Sequence, residues 1–143
     1  MSLSLGDLVA FLTAVAPDVV VDTTTPDYFF MHPGDRMMPF ATIVTRDTDF
    51  DSASNLSRPG VFRLNIGLDR ERFLALFGKK FDPKAAPGYD FSALDQLMPN
   101  PVYGSMYWSS VLCPSQTTLD NLRPDLTASY QRAARRAEHR QKL

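Results

Sequence analysis

Three aspartates alternate at Asp47, Asp49 and Asp51, in a polar stretch between two strand-like runs at 40–45 and 61–66. In an extended segment this spacing projects carboxylates to one side, where they can present oxygens to a hard cation. The stretch begins like a calcium loop but breaks the pattern twice. Ser52 stands where the loop needs glycine, and Arg58 where it needs a bidentate glutamate. We therefore assign no metal and expect loop carboxylates that cap local backbone or pair with arginine. On the second run, Phe62, Leu64 and Ile66 alternate with Arg63 and Asn65. The polar pair faces away from the core, where a guanidinium fork beside an amide can bind a carboxylate or phosphate. Trp108 or Tyr107 would border the same surface, with Thr45 and Asp47 beside it. The simpler reading pairs Arg63 with a loop aspartate and lets Trp108 fill core.

Other reactive types are scattered. His32 lies in a Pro-Gly turn and His139 near the chain end, too far apart in sequence to suggest a two-histidine metal site. Cys113 is the single cysteine, so no intramolecular disulfide or multi-cysteine zinc site can form. It precedes Pro114 without a histidine in obvious reach, and is expected to be buried and inert. Neither a G-x-S-x-G elbow nor a glycine-rich phosphate loop is present. We assign no cofactor.

A chain of 143 residues, 44% hydrophobic and 22% charged, has the size and composition of one globular domain rather than of a disordered segment. The net charge of −1 conceals an uneven distribution: from Arg123 onward six Lys/Arg stand against two acids, so this tail is net +4 and the remainder −5. Arg132, Arg135, Arg136 and Arg140 form a candidate nucleic-acid patch on that tail. Cations near a helix C-terminus are expected from the helix dipole alone, and a nucleic-acid binder is usually basic throughout. Asp7 interrupts the first apolar run with no basic region before it, and no apolar run reaches membrane-spanning length. A cytoplasmic protein with no membrane contact is expected.

The elements that must position these residues follow from periodicity. Ser4 and Asp7 open an amphipathic helix stopped by Pro17. Residues 19–24 and 28–31 read as a hairpin, 40–45 and 61–66 as the next two strands. Asp69 caps a helix that ends at Gly78, and 91–97 reads as one or two helical turns. Residues 107–112 make the last strand. A final helix starts near Thr117 or Thr118, with Pro124 opening or kinking it. Consecutive strands predict an α+β fold of two layers, an antiparallel sheet of about five strands with helices on one face and the other face partly open.

The tail YWSSVLCPSQTTLDNLRPDLTASYQRAARR resembles the C-terminal signature of the MmcQ/YjbR-like family, with Trp108, Ser129 and Tyr130 at matching positions. That resemblance implies a compact two-layer α+β fold, related in outline to secretion-chaperone-like architectures, and a DNA-associated role without catalytic residues. The core PFATIVTRDTDFDSASNLSRPGVFRLNIG, with YDFSALDQLMPNPVYG, looks closer to small uncharacterised bacterial proteins grouped as a domain of unknown function. Asn100 stands where relatives of that group carry His. Three classes follow. A non-catalytic module would bind a small anionic ligand or a protein partner around Thr45, Asp47, Arg63, Asn65 and Trp108. A DNA-associated protein would use the four arginines. An enzyme would assemble a site from Asp47, Asp49, His32 and Arg63. The module ranks first, because no nucleophile and base are paired in the sequence.

Overall fold

A computed structural model of the chain describes residues 3–85 and 88–141; Lys142 of the basic tail and Pro87 of the connector at 79–88 lie outside them. The elements in order are α1 (Leu5–Thr13), β1 (Val20–Asp22), β2 (Tyr28–Met31), β3 (Ala41–Val44), β4 (Arg63–Gly67), α2 (Arg70–Phe77), β5 (Met98–Pro99), β6 (Trp108–Leu112) and α3 (Gln116–Gln141). The strands form one antiparallel sheet in the order β1-β2-β3-β4-β6-β5. It has one strand more than expected, the added β5 being only two residues long.

The caps act as their residue types require. Ser4 and Asp7 exchange a full capping box at the start of α1. The Asp69 carboxylate accepts from Arg72 N at the start of α2, and Gly78 closes that helix at φ 81°. Pro124 lies inside α3, two turns from its start, and the helix continues through it. Leu8 and Leu12 of α1, Phe73 of α2, and Leu119, Leu122 and Leu126 of α3 join Ile43, Leu64, Ile66 and Val111 in one buried cluster. The helices therefore pack on one face of the sheet, as the strand order predicts.

Two expectations change. Residues 91–97 form no helix. Instead Asp95 N donates to Leu112 O, and Leu94 bridges Leu112 in parallel, so this segment runs along the edge of β6 and feeds β5. Backbone pairing to an available strand edge outweighs a short apolar periodicity. The second correction concerns the face expected to be open. Along β4 and β6 it is covered, and both Arg63 and Asn65 are buried. The 45–62 connection folds back over β4, with Ser54 buried against Arg63 and Leu56 buried within the connection. Among the described residues no helix is long and apolar enough to cross a membrane.

Candidate functional site: a pinned turn over a buried polar network

Arg63 organises the covered face. Its register places it opposite Val44 on one side and Leu112 on the other, while Asn65 stands opposite Thr42 and Ser110. Because strand side chains alternate, these positions gather polar groups on the side away from the helices. The Arg63 guanidinium is 1% exposed and grips both Asp51 oxygens, Nη1 to Oδ1 at 3.0 Å and Nη2 to Oδ2 at 2.5 Å. Nη1 also donates to Ser54 Oγ at 2.9 Å, and Nε donates to Asn65 Oδ1 at 2.9 Å. Asn65 Oδ1 accepts again from Ser110 Oγ at 2.7 Å and Asn100 Nδ2 at 3.0 Å, while its own Nδ2 donates to Thr42 Oγ1. Asn100 Oδ1 accepts the backbone N–H groups of Val102 and Tyr103, fixing the turn before β6.

The network thus ties two loops to β4. It contains no nucleophile facing a base: the Ser54 hydroxyl meets a guanidinium, the Ser110 hydroxyl meets amides, and the Asp51 carboxylate is neutralised. Its chemistry is positioning.

What it positions is the tip of the long loop. Thr48 and Asp51 exchange both backbone hydrogen bonds, at 3.0 and 3.2 Å, leaving Asp49 and Phe50 as the two-residue tip of a tight turn. Asp47 Oδ1 accepts from Leu56 N at 2.8 Å and closes the loop behind the tip. Phe50 is 77% exposed. The three aspartates therefore do not share one side. Asp47 holds the loop, Asp51 holds Arg63, and Asp49 remains at the exposed tip. Among the described residues no group of three or more His, Cys, Asp or Glu is arranged to hold a metal ion.

The remaining candidates lie elsewhere. Thr45 N and Oγ1 bond Asp27 Oδ1, joining the loop to the β1–β2 turn. Trp108 pairs with Gly67 at the far end of β6, four residues from Leu112, about 13 Å of strand away from Arg63's level. A side chain at Gly67 would meet the indole at 3.3 Å, so Trp108 packs on a bare backbone. Cys113 is half-buried with φ 44°, its sulfur near the carbonyls of Gly60 and Phe62. It borders a cleft of about 430 Å³ with Pro59, Val61, Leu94 and Asp95.

The arginines of α3 turn inward. Arg132 Nη2 donates to Gly67 O, and its Nη1 lies 3.8 Å from Asp69. Burial, opposed by Asp69 but aided by Arg136 and Arg135, holds the Arg132 pKa below its ordinary value. Arg136 Nε and Arg140 Nη1 bond the two oxygens of Asp35 at 2.9 and 2.6 Å, and Asp35 is 0% exposed. Arg135 is exposed. Sequence reasoning did not single out Asp35; the two arginines four residues apart share a helix face, but their partner lies about 100 residues away in a turn.

Beside that latch, Tyr130 donates its hydroxyl to Asp18 and packs against His32 and, edge-on, Phe40. His32 Nδ1 accepts from Gly34 N at 2.9 Å, so its ring proton sits on Nε2. Burial, helped by the Asp18 carboxylate, pushes the Tyr130 pKa up to about 12 from 10.0. A folded pKa raised above the unfolded one stabilises below the unfolded value. We therefore expect stability from this pair to be complete below about pH 10 and to fade as pH climbs toward 12. Unfolding midpoints across that alkaline range should fall less for Tyr130→Phe than for the wild type. Parallel curves would contradict the assignment.

A family model described as a family of unknown function (DUF6194) matches residues 3–142. The chain belongs to that family. No curated protein and no solved structure matches it. In this DUF6194 chain the match spans the pinned turn, the Arg63 network and the Asp35 latch alike.

Proposed function

We propose that the protein is a non-catalytic, protein-binding module that presents Phe50 as a preorganised anchor. The observation that carries this reading is a large aromatic side chain, 77% exposed, at the tip of a turn tied to an arginine that is itself 1% exposed. Exposed apolar residues taken singly are ordinary. What needs a reason here is the machinery beneath. A buried ion pair gives little net stability over an apolar pair of similar shape, because desolvation offsets most of its attraction. Fixing a loop in one conformation is the role left to it, and a fixed loop loses less entropy on binding. Aromatic anchors that fill a partner's pocket are the usual energetic centres of such contacts.

Of the ligands expected around this segment, a protein partner accords better than a small anion, because Arg63 already holds the Asp51 carboxylate. A reducing, cytoplasmic setting agrees with the free thiol of Cys113. DNA association, which the MmcQ/YjbR resemblance implies, would draw on Arg135 and the outer faces of Arg136 and Arg140, which stay half-exposed while bound to Asp35.

The test is quantitative capture from lysate of the source cells by the immobilised wild type and by Phe50→Ser, with a short DNA duplex as a separate binding arm. Phe50→Ser should lose its partner by about 30-fold or more, as removal of an anchor does. Its unfolding free energy should stay within about 0.5 kcal/mol of the wild type, because an exposed side chain contributes little to folding. Equal capture by both proteins overturns the reading. Salt-sensitive duplex binding, lost in Arg135→Ala, would move the function to α3.

A further inference from the structure

Neighbouring strands run in opposite directions, so the β1–β2 and β3–β4 turns lie at one end of the sheet and the β2–β3 and β5–β6 turns at the other, while the β4–β5 connection through α2 crosses between them. The end that carries Phe50 is acidic. It gathers Asp22 at the end of β1, Asp27 of the β1–β2 turn, Asp47 and Asp49 of the tip loop, and Asp90 and Asp95 of the segment running to β5. The Thr24 N–H and hydroxyl hold Asp22 below the usual carboxylate range, and the Ser92 hydroxyl and N–H do the same for Asp90. Arg63 is neutralised by Asp51 there, and Arg58 is folded onto the carbonyls of Ser54, Asn55 and Ser92. Arg46 is the further cation of this loop.

The opposite end has the reverse character. Exposed Arg36 follows Asp35 in the β2–β3 turn, and α3 delivers Arg132, Arg135, Arg136 and Arg140 to the same end, against Asp18, Asp35, Asp69 and Glu138. Large apolar side chains stand exposed at the same end: Met37 at 87% and Met38 next to Arg36 before β3 and, three strand spacings or about 14 Å across the sheet, Tyr103 and Met106 at 57% before β6. One end therefore offers an aromatic anchor among carboxylates, and the other exposed methionines on a face with more guanidiniums than carboxylates. Methionine adapts its shape to an inserted aromatic group.

Resting on the reading of Phe50 as an anchor, we propose that the partner is a second copy of this chain. The Phe50 tip of one molecule docks on the Met37/Met106 end of the next, with Asp49 meeting Arg36 and Arg135. Such a contact is heterologous. With the tip and the methionine end at opposite ends of the sheet, each added copy brings a new free tip, so the assembly grows with concentration until the rotation between copies closes a ring. Charge complementarity sets the orientation and makes the contact salt-sensitive.

Sedimentation equilibrium tests this from micromolar protein to the solubility limit, at low and high salt. The wild type should gain average mass with concentration, and salt should reverse the gain. Phe50→Ser, which keeps the methionine end, and Met37→Asp/Met106→Asp, which keeps the tip, should each stay monomeric with unchanged melting temperature. Mixed together, the two variants should form a capped dimer, doubling the mass. A wild type that stays monomeric throughout overturns the proposal, while loss of a lysate partner in Phe50→Ser would still support the anchor. Variants that fail to dimerise when mixed overturn the head-to-tail arrangement.

Discussion

Exchanging Arg63 for methionine should lower the unfolding free energy by about 3–5 kcal/mol, the usual result of removing one member of a buried ion pair. In a domain of this size that is a fall of about 10 °C or more in melting temperature. The loss arises mainly from what is left behind. The Asp51 carboxylate loses both guanidinium bonds, Ser54 Oγ and Asn65 Oδ1 each lose a donor, and the loop is no longer held to β4. Replacing both partners, Arg63→Met with Asp51→Leu, should recover much of the stability, because no buried charge remains unpaired. The double variant should nonetheless present Phe50 less well, since an apolar contact does not fix the turn as a bidentate ion pair does. Urea titrations of the four proteins complete a double-mutant cycle. A coupling energy near zero would show that Arg63 and Asp51 do not act together.

Asp35→Ala should destabilise by about 2–3 kcal/mol, the loss of two charge-assisted hydrogen bonds, reduced because both arginines are half-exposed and can rehydrate. The effect should be local before it is global. Gly34 lies so close to α3 that an added Cβ would stand 2.8 Å from Ala137, and Asp35 fixes that contact by holding Arg136 and Arg140. In Asp35→Ala, amides after Ala133 should exchange with solvent much faster than in the wild type, while those of β3 and β4 stay protected. Uniform acceleration across the chain would instead mean that the latch stabilises the whole fold, not the helix end.

The elements were legible wherever local chemistry agrees with tertiary packing. Ser4, Asp69 and Gly78 mark helix ends by their own hydrogen bonds or backbone freedom, and the alternation from Phe62 to Ile66 marks β4 without reference to the rest of the chain. The failure at 91–97 has the opposite cause. Phe91, Leu94 and Leu97 are spaced as on a helix, yet the exposed edge of β6 lay beyond what a local window can sense. The covered face was misjudged for a related reason. Polar residues on a strand ordinarily face water, and nothing near Arg63 or Asn65 in sequence reveals that Asp51, Ser54 and Asn100 will close over them. The pairing of Arg63 with a loop aspartate was foreseeable from charge alone; which of three would serve was not. Thr42 and Ser110 left a faint signal, a polar residue in an apolar strand, but only the register unites them with Asn65. Asp35 left less, because an aspartate after Pro-Gly reads as ordinary turn chemistry.

If the buried ion pair holds the exposed aromatic tip rigid before any partner arrives, the free protein should already show it. Backbone ¹⁵N relaxation of the free protein at Asp49 and Phe50 tests it most directly. Order parameters at the tip should lie close to those of β3 and β4, about 0.85, and fall below about 0.6 in Arg63→Met. A tip already below that value in the wild type, unchanged when Arg63 is removed, would contradict it.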